Sequence, residues 1–247
     1  MKGIILAGGK GMRLSPLTDI TNKHLLTVFD REMIFYPLET LLSLGARDIL
    51  IVSGQENMDK FFELLGDGSA HGARISYGIQ KESGGIAQAL DVARDFVGGD
   101  KSITILGDNI FDNASLPKEA VTAWAESGSD AVVFMKEVHD PCRFGVPEII
   151  DGRIIGIEEK PKNPKSSFAI TGLYLYPPDV FDIIKTIKPS RRGELEITDV
   201  NNKYIEKGRC RYAHVPGFWI DAGTYNSIMS AASWAKERTI KSKVQAI

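Results

Sequence analysis

The sequence predicts an α/β fold built on one mixed but mainly parallel sheet flanked by helices. Three observations carry this reading. Up to residue 140, short apolar runs alternate with segments of helical spacing, the pattern of repeated βαβ units. The first apolar run ends directly in a glycine-rich turn, and open α/β sheets receive their ligands beyond the C-terminal ends of strands. After residue 140 the rhythm changes to a hairpin, another strand and further helices, which add cover over the same cleft.

The elements follow in order. Residues 2–7 (KGIILA) form a short apolar strand bounded by glycine. Residues 33–44 (MIFYPLETLLSL) have helical apolar spacing and stop at Gly45, suited to the left-handed position after a helix. A buried strand is expected at 48–53 (DILIVS), and a helix at 56–65 is stopped by Gly66-Asp67-Gly68. Residues 73–80 read as a strand, 86–96 as a helix, and 101–106 (KSITIL) as a buried strand leading into Gly107-Asp108-Asn109. A helix at 117–126 carries proline in its first turn, and 130–138 is a strand. Residues 146–150 and 154–159 make a hairpin around Asp151-Gly152. A strand at 170–176 and helices at 179–187, 196–207 and 225–237 complete the chain. With no repeat and no low-complexity linker, residues 1–247 read as a single Rossmann-like domain.

Composition narrows the function classes. Hydrophobic residues are 43% of the 247 and charged residues 25%, enough apolar material for a packed core. A net charge of −2 gives no basic footprint for nucleic acid. No stretch approaches the roughly 18 apolar residues of a membrane span. The start, MKGIILAGG, lacks the longer apolar stretch and cleavage site of a signal peptide, so the expected address is the cytoplasm. Cys142 and Cys210 form neither a CxxC pair nor a disulfide framework.

The glycine-rich turn points to phosphate. Gly8, Gly9 and Gly11 lack a Cβ, so backbone N–H groups can approach an anion closely. Arg13 adds a forked cationic donor, and Lys23 comes ten residues later. Two better-known phosphate motifs fail. The dinucleotide fingerprint needs glycine at Leu14, which argues against a nicotinamide-dependent oxidoreductase, and GxxxxGK[ST] has no match.

The stretch from Gly8 to Val28, GGKGMRLSPLTDITNKHLLTV, resembles the signature of the sugar-1-phosphate nucleotidyltransferases, GGxGTRLxPLTxxxxKxLLPV. Further segments arrive in that family's order: GDNIF at 107–111, RFGV at 143–146, EEKP at 158–161, TGLYLY at 171–176, RGELEITD at 192–199 and WIDAGT at 219–224. The resemblance spans essentially the whole chain. GDNIF, RGELEITD and WIDAGT together look most like the glucose-1-phosphate thymidylyltransferase branch. It implies the nucleotide-diphospho-sugar transferase type of α/β fold, with the first half binding nucleotide and the second half sugar phosphate. The implied reaction is in-line attack of a sugar-phosphate oxygen on the α-phosphorus of dTTP, giving a dTDP-sugar and pyrophosphate with Mg²⁺ as cofactor. Such chemistry needs positioning and cations more than a nucleophilic side chain. The family also implies a homodimer or homotetramer.

Four residue sets are expected to carry the chemistry. By resemblance, Arg13 and Lys23 hold the triphosphate, and Leu6, Gly8, Gly9, Gly11 and Met12 line its site. Asp108 and Asp221 each lie just past a strand and supply hard oxygen ligands suited to Mg²⁺. Gln80 offers a donor and an acceptor to thymine or uracil, and Gly85 lets backbone come near the base. The same stretch also reads as a helix N-terminus capped by Ser83. By resemblance again, Lys160 and Arg192 bind the sugar phosphate, while Gly145, Glu159, Thr171 and Gly172 meet sugar hydroxyls. Arg13, Lys23, Asp108 and Lys160 are the catalytic candidates.

Several positions depart from the family pattern. Met12 replaces Thr or Ser, His24 replaces Gln, Thr27 replaces Pro, Phe144 replaces Tyr, Pro147 replaces Val and Cys142 replaces Glu. These leave the cationic and metal sets intact and bear on sugar identity. Two other readings share the fold: uridylyl transfer from UTP, and a silent subunit that binds nucleotide without turnover. Retention of Arg13, Lys23, Asp108, Lys160 and Asp221 argues against silence. Longer relatives carry further C-terminal helices that build a regulatory nucleotide site, and the short run TIKSKVQAI after residue 238 shows no pattern for them, so only the active site is expected to bind nucleotide.

Overall fold

A computed structural model describes residues 1–9 and 11–245, with side chains through residue 240. In chain order the elements are β1 (Lys2–Leu6), β2 (Thr27–Val28), β3 (Arg31–Glu32), α1 (Phe35–Ser43), β4 (Asp48–Ser53), α2 (Met58–Leu65), β5 (Arg74–Ile79), α3 (Ile86–Asp91) and α4 (Arg94–Val97). Then come β6 (Ser102–Leu106), β7 (Asn109–Phe111), α5 (Lys118–Ser127), β8 (Ala131–Glu137), β9 (Gly145–Ile150), β10 (Arg153–Glu159) and β11 (Phe168–Tyr176). The chain continues through α6 (Val180–Ile184), α7 (Ile197–Glu206), β12 (Cys210–His214), β13 (Trp219–Asp221) and α8 (Tyr225–Gln245).

Seven strands form the central sheet in the order β12-β8-β11-β6-β1-β4-β5. Pairs β1/β4, β1/β6, β4/β5 and β12/β8 are parallel, whereas β11 runs antiparallel to both β6 and β8. The mixed, mainly parallel sheet expected from the sequence is therefore present. Its central strands are apolar on both faces because helices cover both faces. Ile4, Leu6, Leu50 and Val52 pack on one side with α3, α4, α6 and α7. Ile5, Ile49, Ile51, Ile103 and Ile105 pack on the other with α1, α2 and α5. Each of these isoleucines is completely buried and contributes roughly 1.5–3 kcal/mol relative to exposure. A smaller core joins Ala231 and Ala235 of α8 to Ile110, Ala222, Val28 and Met33. That third core fixes the short β7/β13 ladder, which carries Asp221 at its end. Among the described residues no helix is long and apolar enough to cross a membrane.

Local turns obey their sequence signals. Asp151 (φ 50°) and Gly152 (φ 72°) both sit in the left-handed region, as a two-residue hairpin turn requires. A bulge between Ile154 and Gly156 shifts the β9/β10 register. The helix expected at 86–96 is broken into α3 and α4. The Ala93 N–H reaches only to the Leu90 carbonyl, and Arg94 turns to bind the Phe181 carbonyl. The helix expected at 179–187 closes at Ile184 and continues as single turns. The last helix runs to Gln245 rather than 237, so most of the run read as a tail is helical.

Candidate active site

The chain leaves β1 for β4 on one side and returns to β6 on the other, so the strand order reverses between β1 and β6. This is the switch point at which open α/β sheets bind ligands. A cleft of about 660 Å³ lies there. It is lined by Leu6, Gly8, Gly9, Met12, Arg13, Lys23, Gln80, Gly85, Asp108, Gly145, Glu159, Lys160, Thr171, Gly172, Arg192 and Asp221. Of the expected site residues only Gly11 is not in its wall. A Cβ on Gly11 would lie 2.9 Å from Thr18 Cγ2 and 3.2 Å from Lys23 Cβ, so this glycine packs behind Lys23. A separate open groove of about 680 Å³ lies near Phe168, Tyr212 and His214, and none of the expected residues lines it.

At the β1/β6 end, glycine makes room for side chains. A Cβ on Gly8 would stand 2.6 Å from Gln80 Oε1, so the Gln80 amide lies against the turn. The Gln80 Nε2 donates to Gln88 Oε1 at 3.0 Å and to the Gly85 carbonyl at 3.3 Å. Ser83 does not cap the adjacent helix. Gly85 occupies the cap, and Gln88 Oε1 accepts from the Gly84 N–H at 2.8 Å. The close approach that Gly85 permits is to the Leu195 backbone, whose carbonyl would stand 2.5 Å from a Cβ.

Two carboxylates and a lysine occupy the floor. Lys23 Nζ is hydrogen-bonded and ion-paired with Asp108 Oδ2. Burial works to raise the Asp108 carboxyl, but Lys23 and the hydrogen bonds from Lys23 and Asn109 hold it below the usual carboxylate range. Asp221 differs. Its Oδ1 is buried and has no hydrogen-bond partner. Burial first, and the Asp108 charge second, push its carboxyl up to about 6. Arg13 is close by: a Cβ on Gly223 would lie 2.8 Å from Asp221 Oδ1 and 3.1 Å from Arg13 Nη2. Two oxygen donors, one of them orphaned, fit a hard divalent cation. Among the described residues no group of three His, Cys, Asp or Glu side chains could hold a metal. A cation here would therefore take its remaining ligands from phosphate and water. His24 is wholly buried, and its Nδ1 lies 2.6 Å from Asn22 Oδ1. Burial and the Lys23 charge bring it down to about 3, so the ring is neutral.

The second half supplies a different kind of surface. Lys160, the residue after β10, sits in the left-handed region at φ 48°, a conformation rare for a residue with a side chain and one that clusters at functional sites. Its N–H donates to the Phe144 carbonyl at 2.9 Å, and its Nζ stands 3.2 Å from Glu159 Oε1. Glu159 Oε2 accepts from Thr198 Oγ1 at 2.6 Å. Arg192 grips both oxygens of Glu196 at 2.8 and 2.9 Å, with Glu194 at 3.4 Å and Glu159 at 3.8 Å. Thr171 lines the cleft, but its hydroxyl is committed to the Phe134 carbonyl at 3.0 Å.

Sequence reasoning missed Asn109 and Arg143. Asn109 Nδ2 donates to Asp108 Oδ1 at 3.0 Å, while its Oδ1 accepts from the Gly172 N–H at 2.8 Å and from Trp219 Nε1 at 2.7 Å. It thus ties three distant segments together under the carboxylate. Arg143 stacks over the Phe144 ring, 5.5 Å from its centroid, and also lines the cleft. Both lie inside segments already singled out, GDN and RFGV.

Known proteins resemble this chain over most of its length. The nucleotidyl transferase family matches residues 2–238. A glucose-1-phosphate thymidylyltransferase from Neisseria meningitidis serogroup A is 46% identical over 239 residues, covering 96% of this chain and 83% of that protein. A solved structure from Bacillus anthracis, described as a glucose-1-phosphate thymidylyltransferase with bound sucrose, is 48% identical, with TM-score 0.89 and 95% of each chain covered. A UDP-glucose pyrophosphorylase with UDP-glucose shares the fold at TM-score 0.85 and 23% identity, over 96% of this chain and 98% of that one. This chain belongs to the nucleotidyl transferase family, in the branch of the glucose-1-phosphate thymidylyltransferases.

Proposed function

We propose that the protein transfers the thymidylyl group of dTTP to glucose 1-phosphate, forming dTDP-glucose and releasing pyrophosphate. Close likeness to glucose-1-phosphate thymidylyltransferases over nearly the whole chain supports the substrates. The observation that carries the chemistry is the partnerless Oδ1 of Asp221 beside the Asp108–Lys23 pair, at the glycine turn of one cleft. A site for metal-bound phosphate needs this: anionic oxygen for the cation, and cationic nitrogen for the phosphate.

Each residue set then has a task. Asp108 and Asp221 would hold Mg²⁺, which would supply charge neutralisation at the reacting phosphate. Gly8 and Gly9 present backbone N–H groups to the triphosphate, and Arg13 and Lys23 bind its oxygens. Gln80 reads the base, and its Oε1 remains to accept from the N3–H of thymine. Lys160 and Arg192 hold the sugar phosphate, while Glu159 accepts from sugar hydroxyls. The attacking phosphate oxygen is already ionised near neutral pH, so no side-chain base is required. One P–O bond forms at the α-phosphorus and the bond to pyrophosphate breaks, with the cations stabilising the leaving charge. In this reading residues 1–247 act as one domain with a nucleotide half and a sugar-phosphate half.

Pyrophosphate release across four triphosphates and several sugar 1-phosphates tests the proposal. Fastest release is expected for dTTP with glucose 1-phosphate, abolished by chelator and restored by Mg²⁺. Preference for UTP would move the protein to uridylyl transfer. No release with any pair would overturn the assignment.

A further inference from the structure

The turn that carries Arg13 is weakly held by its own side chains. Between Gly11 and Asp19 the backbone hydrogen bonds are local: Leu14 N–H to Gly11, Ser15 to Met12, Leu17 to Leu14 and Asp19 to Pro16. Met12, Leu17 and Ile20 are exposed, and Leu14 is the buried anchor. Thr18 Oγ1 and Ser15 Oγ bond within the segment. A side chain from far along the chain reaches in at its centre: the Tyr225 hydroxyl lies 2.8 Å from the Ser15 carbonyl and 3.1 Å from the Leu14 carbonyl.

Tyr225 stands on rigid ground. It opens α8, whose start is fixed by the reciprocal bonds of Thr224 and Ser227 at 2.9 and 3.2 Å. Ala231 and Ala235 then bury the helix against the β7/β13 ladder. The same short segment carries Asp221, Gly223 against the Arg13 guanidinium, and Tyr225 against the Arg13 turn. A shift of the turn would carry Arg13 away from Asp221.

We propose that Tyr225 is a positioning residue for the triphosphate: its hydroxyl clamps the Arg13 turn to the segment that bears Asp221. This rests on the assignment of Arg13 to the triphosphate. Tyr225 is 42% exposed, so removing the hydroxyl leaves no buried void and the fold should stand.

Tyr225→Phe tests it. The KM for dTTP should rise about fivefold, the effect of one lost hydrogen bond, with the KM for glucose 1-phosphate within about twofold of the parent. In an Arg13→Ala background the same change should add nothing to the KM for dTTP, because Tyr225 acts through Arg13. Amide hydrogen exchange across residues 11–19 should quicken in Tyr225→Phe while the central sheet stays protected. Unchanged exchange at 11–19 would overturn the clamp, as would equal rises in both KM values. Faster exchange with Arg13→Ala leaving dTTP use intact would instead overturn the Arg13 assignment and the catalytic part of the inference with it.

Discussion

The two ends of the cleft hold their charges differently. At the β1/β6 end, the Lys23 and Asp108 side chains are only 15% and 10% exposed, and Asp221 Oδ1 has no partner. At the other end, Lys160 and Arg192 are 48% and 46% exposed, and carboxylates of this chain already surround them. Charges removed from water interact strongly and lose heavily when unpaired, whereas exposed pairs contribute about 0–1 kcal/mol. The nucleotide end is thus a preset electrostatic site, destabilised until a ligand arrives. The proposed sugar-phosphate end is a screened network in which Glu194 and Glu196 hold Arg192 where phosphate oxygens would compete.

The largest effect should fall on the orphaned carboxylate. Asp221→Asn is expected to lower kcat at least about a hundredfold, since metal-assisted charge stabilisation is worth several kcal/mol. The same change should stabilise the metal-free protein. The Asp221 carboxyl is pushed up to about 6 in the fold, above its unfolded value, so ionising it costs folding free energy. That cost is absent below about pH 4, grows towards pH 6, and is complete above it, reaching about 1–3 kcal/mol. Thermal melts of parent and variant in chelator at pH 4 and pH 8 check this. A Tm gain at pH 8 that vanishes at pH 4 is expected, and a loss at pH 8 would mean that Asp221 is satisfied in the fold.

A smaller effect should appear at Asn109, which acts through Asp108. Asn109→Ala leaves the Trp219 Nε1–H and the Gly172 N–H without their acceptor. A cost of about 1–3 kcal/mol in stability is expected, with kcat down about tenfold. Denaturant melts and steady-state kinetics would separate the two; normal kcat in the folded variant would make Asn109 purely structural.

The smallest effect lies at the screened end. Glu196→Gln weakens the grip on Arg192 and should lower the KM for glucose 1-phosphate about twofold to threefold, with dTTP unaffected. A raised KM would show that Glu196 aims Arg192 rather than competing with phosphate.

Much of this was legible in the residues. The apolar runs at β1, β4 and β6 read as buried strands because helices cover both faces, and Asp151-Gly152 named its hairpin. Strand β12 was not legible. It is an edge strand of only five residues, CRYAH, with Arg211 and His214 exposed, and edge strands are marked more by charge than by apolar runs. The expected site residues, Gly11 excepted, line one cleft. Asn109 escaped because its work depends on Gly172 and Trp219, 63 and 110 residues away. Gly85 lines the cleft, and its lack of a Cβ also lets the Leu195 backbone come close, a neighbour that only the fold supplies.

The division of the cleft into a triphosphate end and a sugar-phosphate end is tested most directly by full two-substrate kinetics on Arg13→Ala and Lys160→Ala. Losing one charge-assisted partner costs about 1.5–3 kcal/mol, so about tenfold or more in kcat/KM is expected for each. Arg13→Ala should place that loss on dTTP and Lys160→Ala on glucose 1-phosphate. If both variants lost the same factor on both substrates, the two ends would not be separate sites.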